Sequence, residues 1–229
     1  MRDLLAIFPL RLARGAEKEL GIAGVALVLA GVAFAAWPGP STLIPMALLA
    51  VLFALLLYFF RDPERTPSAG NGEFVGPADG RVVEIQRVHE PRFLKGEALK
   101  ISIFMSLLDV HVNRAPVGGR VALVEHVPGQ FVQAFRPEAS EVNEHNLIGL
   151  ESRYGKVLLR QVAGILARRV VCWVHPGQRL RTGDRLGVIK FGSRVDLYMP
   201  LDLEPVIQVG DQICAGVTVI ARWKGENVR

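Results

Sequence analysis

The sequence lacks most of the motifs through which enzymes display metal, nucleotide or thiol chemistry. It has two cysteines, Cys172 and Cys214, with no Cys-x-x-Cys spacing, so they read as buried thiols of a reducing compartment and imply neither metal nor disulfide. No HExxH occurs, and no HxxxD paired with HxH, which argues against a catalytic zinc. The phosphate-cradling patterns GxGxxG and GxxxxGK followed by Ser or Thr are absent too. Without a basic run interleaved with aromatics or a nucleic-acid module signature, nucleic acid is not an expected partner. Three histidines, His89, His126 and His175, stand isolated and read as surface or core residues.

What the chain does have is apolar length. Half of its 229 residues are hydrophobic, and they concentrate near the amino terminus. Residues 21–37 and 42–60 carry no charge; as helices they reach about 25 and 28 Å, near the lower limit for crossing a bilayer core. Pro38-Gly39-Pro40-Ser41 between them fits only a tight turn. The expectation is an antiparallel hairpin, either spanning or re-entrant, with a buried helical pair of a soluble core as the alternative. Arg11, Arg14 and Lys18 precede the pair, Arg61 and Arg65 follow it, and the turn has no cation. The positive-inside rule then places both ends, and the large domain, on the cytoplasmic side of the cell membrane. The formal charge of +5 suits an anionic membrane surface.

Residues 61–75 mix proline, glycine and charge and read as a linker. Beyond them the pattern becomes short β-type runs separated by glycine, with candidate strands at 81–88, 98–104, 119–126, 146–152, 156–161, 168–174, 185–189, 194–198 and 217–223. The expected fold is mainly β, a barrel-sandwich-like domain at 76–229 preceded by a hydrophobic helical hairpin in a membrane-anchoring region at 1–60. Gly183-Asp184 and Gly210-Asp211 each open a β-type run, a weak internal echo.

Two such runs meet at Gly192-Ser193, the single Gly-Ser bond in the chain. A glycine inside a strand pattern marks a bulge, a turn or a close backbone approach. A hydroxyl following it can also attack the preceding carbonyl: the N-to-O acyl shift makes an ester, β-elimination gives dehydroalanine, and hydrolysis leaves a pyruvoyl terminus and ammonia. Asp79, in Pro77-Ala78-Asp79-Gly80, reads as a turn-former or as a carboxylate that orients a base. His111, where polar residues interrupt an apolar strand, reads as a structural histidine or as a general acid or base. The polar stretch 135–146, with Asn143, Glu144 and Asn146, reads as a solvated loop or the lining of a site.

Taken in order, Phe59-Phe60-Arg61-Asp62-Pro63, Pro77-Ala78-Asp79-Gly80, Phe104-Met105-Ser106 with Asp109-Val110-His111-Val112-Asn113-Arg114-x-Pro116, Asn143-Glu144-x-Asn146 and Phe191-Gly192-Ser193-Arg194-Val195-Asp196 resemble phosphatidylserine decarboxylase proenzymes of a short, archaeal-type group. The resemblance covers the chain from about residue 20 onward. It implies cleavage between Gly192 and Ser193 into a β chain, 1–192, and an α chain, 193–229, which stay together as one heterodimer. It implies a covalent pyruvoyl group made from Ser193 as the cofactor, a Schiff base with the substrate phosphatidylserine, and phosphatidylethanolamine and carbon dioxide as products. Asp79, His111, Gly192 and Ser193 match family positions. The longer bacterial form has a second histidine where this chain has Arg114, so its Asp-His-Ser maturation triad does not carry over whole. The expectation is that His111 moves protons, with Asp79 favouring its charged form. The competing expectations are a membrane-tethered barrel module that binds or carries without chemistry, and a zinc endopeptidase on a related barrel.

Overall fold

The computed structural model describes residues 11–133, 139–164, 170–190 and 193–225. They divide into two compact units, Met1–Glu64 and Arg65–Arg229.

The first unit is a helical hairpin, α1 (Glu17–Ala36) and α2 (Pro40–Phe59). Each helix has 20 residues, about 30 Å of rise and enough for a hydrocarbon core. Helix α1 starts four residues before its uncharged run, because Glu17 and Glu19 suit the positive end of the helix dipole. Helix α2 starts two residues early, on Pro40, whose missing N–H costs nothing in a first turn. The Thr42 hydroxyl donates to the Trp37 carbonyl at 2.7 Å and closes the turn. At the open end the two flanking segments are stapled: Ala13 N–H donates to the Phe60 carbonyl at 2.8 Å and Asp62 N–H to the Arg11 carbonyl at 2.9 Å. Val25, Leu29, Leu48 and Leu55 stay exposed along the helices. The hairpin is therefore compatible with membrane association and unlike a pair buried in a soluble core.

The second unit is mainly β. Its elements in order are β1 (Glu73–Val75), β2 (Gly80–Glu90), β3 (Gly96–Met105), β4 (Val112–Arg114), β5 (Gly119–Val127), α3 (Ala139–Val142), β6 (His145–Ser152) and β7 (Gly155–Val162). There follow β8 (Val170–Cys172), β9 (Arg179–Leu180), β10 (Arg185–Ile189), β11 (Ser193–Met199), β12 (Leu203–Pro205), β13 (Gln212–Ile213) and β14 (Val219–Trp223). Eight strands form one curled antiparallel sheet in the order β13-β2-β3-β11-β7-β6-β5-β9; β4-β10-β8 and β1-β14-β12 form two small sheets. Along β11 the side chains alternate as the pleat requires. Val195, Leu197 and Met199 enter the main core with Ile101, Ile103, Leu159 and Leu186, while Arg194, Asp196 and Tyr198 take the other face, also buried.

Several boundaries differ from the sequence reading. Residues 73–75, expected as linker, pair with β14 as β1. Four of the strands of two or three residues, β4, β9, β12 and β13, fall outside the expected strands; they are too short to show a periodicity and exist through their partners. Both cysteines are half-buried, not buried. The Gly-Asp echo is real at the turn level. Arg181 N–H donates to Asp184 Oδ2 at 2.7 Å and Gln208 N–H to Asp211 Oδ2 at 2.9 Å, and Gly183 and Gly210 both take positive φ.

Candidate active site

Two neighbouring crossovers define the site. The chain leaves the eight-stranded sheet at the end of β3 and enters β4 of a small sheet; it returns from β10 of that small sheet into β11. Both sides are tied. Met105 pairs with Ser193 in the large sheet, and Val112 pairs with Val188 in the small one. Between them, Ile189 N–H donates to the His111 carbonyl at 3.3 Å. His111, just before β4, and Ser193, first in β11, thus lie at the ends of strands tied to one another through Met105, Val188 and Ile189.

Ser193 opens β11, fully buried, and its hydroxyl donates to Met105 Sδ at 3.3 Å. A thioether is a weak acceptor and no base. Gly192, the other half of the bond, lies outside the described residues. His111 is buried, with Nδ1 at 2.9 Å from the Asp109 carbonyl. A carbonyl only accepts, so Nδ1 carries the hydrogen, and the lone pair of the neutral ring is on Nε2.

Asp79 is paired with an arginine that the sequence reading did not name as its partner. Its carboxylate receives the two Arg65 guanidinium nitrogens, one at 2.7 Å, and the Ala215 N–H at 2.7 Å. It also helps burial push the Cys214 thiol up. Asp79 still borders the site through its neighbour: Gly80 has φ +142°, and a Cβ there would lie 2.1 Å from the Phe104 carbonyl oxygen, one residue before Met105. Arg114 is buried and donates to the Gly183 carbonyl at 3.0 Å.

The sequence reading missed a buried amide chain behind the serine. Asn113 approaches Met105 Sδ at 3.7 Å, Gln161 Nε2 donates to Asn113 Oδ1 at 2.7 Å, and Asn146 Nδ2 reaches Gln161 Oε1 at 3.4 Å. Asn146 Oδ1 lies 2.8 Å from His126 Nδ1. The signal was Gln161 itself, an amide at the core-facing parity of Val157 and Leu159 in β7. Gly187 leaves it room, since a Cβ there would sit 3.1 Å from Gln161 Nε2. Asn143, part of the polar stretch, anchors the preceding loop through Val132 and the Ala163 carbonyl.

On the opposite face of β11 lies a charged cluster. Arg194 donates to Asp196 Oδ1 at 2.7 Å and Glu84 Oε2 at 2.6 Å, and Lys100 Nζ lies 3.1 Å from Glu84. Burial raises the Asp196 pKa, but the Arg194 and Lys100 charges outweigh it and hold the carboxyl below its ordinary range. Among the described residues no group of three His, Cys, Asp or Glu side chains is placed to hold a metal.

The sequence matches the family described as phosphatidylserine decarboxylase over residues 52–221. It is 45% identical over 175 residues to a phosphatidylserine decarboxylase proenzyme of Polynucleobacter asymbioticus, covering 76% of this chain and 81% of the relative. For the proenzyme of that name from Carboxydothermus hydrogenoformans the identity is 46% over 179 residues, 78% of this chain and 84% of the relative. For that from Symbiobacterium thermophilum it is 45% over 199 residues, 81% and 93%. These relatives do not support the archaeal-type grouping expected from the motifs. The match extends through both crossovers and the strands that hold them, and on that extent the chain belongs to the phosphatidylserine decarboxylase family.

Proposed function

We propose that this chain converts phosphatidylserine to phosphatidylethanolamine and carbon dioxide, after cutting itself between Gly192 and Ser193. In this reading residues 1–60 anchor the enzyme, 61–75 connect, and 76–229 carry the chemistry on the cytoplasmic side of the cell membrane. The β chain 1–192 and α chain 193–229 remain one heterodimer, because β11 is held in the sheet by β3 and β7 on either side. The observation that carries the reading is Ser193: the residue after the sequence's single Gly-Ser bond, buried, first in its strand, and one connection away from His111.

Maturation needs no co-reactant but water. The Ser193 hydroxyl attacks the Gly192 carbonyl carbon, the peptide nitrogen leaves as an amine, and an ester replaces the amide. Loss of the Cα proton expels the Gly192 carboxylate, and water then releases ammonia. Met105 holds the hydroxyl but accepts no proton in earnest, so His111 Nε2 is assigned the proton transfers here and in turnover. Asp79, bound to Arg65, acts as a positioning residue that fixes the Gly80 approach to β3.

The surroundings fit a pyruvoyl group. Its serine precursor is in place, buried at the start of β11. When formed, the group supplies an electron sink for loss of carbon dioxide. The hairpin and basic flanks keep the enzyme on an anionic surface, where its lipid substrate arrives by lateral diffusion. A carrier module without chemistry is not favoured, since the relatives are named as decarboxylase proenzymes.

Intact mass spectrometry tests the proposal. The wild-type protein should resolve into 1–192 and 193–229, the latter blocked to Edman degradation and gaining a lipid adduct with phosphatidylserine and borohydride. Ser193→Ala should stay whole. Full activity from an uncut wild-type chain with a free Ser193 would end the reading.

A further inference from the structure

The connection from β3 to β4 carries an unexplained feature. It opens with a turn, Ser106-Leu107-Leu108-Asp109, in which Ser106 N–H and Oγ donate to Asp109 Oδ2 at 2.7 and 2.8 Å, and Asp109 N–H returns to the Ser106 carbonyl at 3.1 Å. The turns at 181–184 and 208–211 have the same pattern of backbone and Asp bonds. Those two place glycine third, at positive φ; here the central pair is leucine, with no positive φ. Backbone geometry therefore does not ask for these leucines. Nor does the core, since Leu107 is 48% and Leu108 66% exposed.

The surroundings point to what they meet. Gln212 Nε2 donates to Asp109 Oδ1 at 3.4 Å, which brings the 208–211 turn alongside. That turn adds Val209, 59% exposed. Gln212 pairs with Arg81, an exposed cation. Three exposed apolar side chains beside a cation complement the boundary between acyl chains and anionic headgroups. The turn is also joined to the site: Met105, just before it, pairs with Ser193, and the carbonyl of Asp109 holds the His111 ring.

Building on the proposed function, we infer that Leu107 and Leu108 insert into the headgroup region of an anionic bilayer, seating the site over the membrane lipid it processes. The hairpin anchors the chain; the turn sets the site against the surface.

The test uses the full-length protein and Leu107→Ser/Leu108→Ser. Turnover is compared on phosphatidylserine in vesicles and on a short-chain phosphatidylserine dispersed as monomers. The ratio of vesicle to monomer rate should fall about tenfold, equivalent to roughly 1.4 kcal/mol. An unchanged ratio, including an equal loss on both substrates, overturns the inference. A second measurement needs no turnover or self-cleavage. Leu108→Cys is labelled with bimane in a Cys172→Ser/Cys214→Ser background and reconstituted in phosphatidylserine and phosphatidylcholine vesicles. Lipids brominated near the headgroup should quench it. No quenching, or a shift of emission that follows protein concentration without lipid and so marks a second copy, overturns the inference. If the wild type decarboxylates neither substrate, the proposed function fails while the quenching still decides the turn.

Discussion

Replacing Asp196 by Asn isolates the charged cluster on the second face of β11. Arg194 and Lys100 face Asp196 and Glu84, two cations against two carboxylates, and Asp196 is fully buried. The asparagine keeps the shape and an acceptor for Arg194 Nε but leaves one positive charge in excess. Removing one partner of a buried pair costs about 3–5 kcal/mol. Because Arg194 keeps Glu84 and Ser102, we expect the lower end, about 3 kcal/mol, which for a unit of this size lowers Tm by roughly 6–12 °C.

The sign of the pH dependence follows from the direction of the shift. The folded-state pKa of Asp196 lies below its ordinary value of 3.8. Its stabilisation is thus complete above that value and lost as pH falls through the lower folded one. Thermal unfolding of full-length D196N and wild type should show a constant gap from pH 8 down to about pH 5, closing only below about pH 4. A gap under roughly 3 °C at neutral pH, or one that closes between pH 5 and 7, would refute the assignment of a buried ionised Asp196.

Three further outcomes are expected. His111→Ala should slow maturation or turnover by about 10²–10⁴-fold; both intact, by gel and carbon dioxide release, would remove it from the chemistry. Gly80→Ala should cost at least about 3 kcal/mol in urea unfolding, from a left-handed φ and a clash with the Phe104 carbonyl; a variant of wild-type stability would refute that close approach. Gln161→Leu should lose about 1–3 kcal/mol by leaving Asn113 Oδ1 without its buried donor, and Gln161→Glu, which keeps an acceptor for Asn146 but not the donor, should not restore it.

The hairpin was legible because uncharged length and a Pro-Gly turn are local properties, and the larger strands because apolar alternation over five or more residues reports a buried face. Ser193 and His111 stood out as residues that break such patterns. Local sequence could not show the two-residue strands, which exist only through distant partners, or Gln161, whose meaning depends on Asn113 in another sheet. Nor could it show the Arg65 guanidinium that lies against Asp79. Composition and periodicity decided which segments fold as helix or strand; the pairing of strands far apart in the chain decided that two crossovers lie side by side. Reactive geometry is a long-range property, since it is set by which backbones hydrogen-bond across sheets and not by neighbours in sequence.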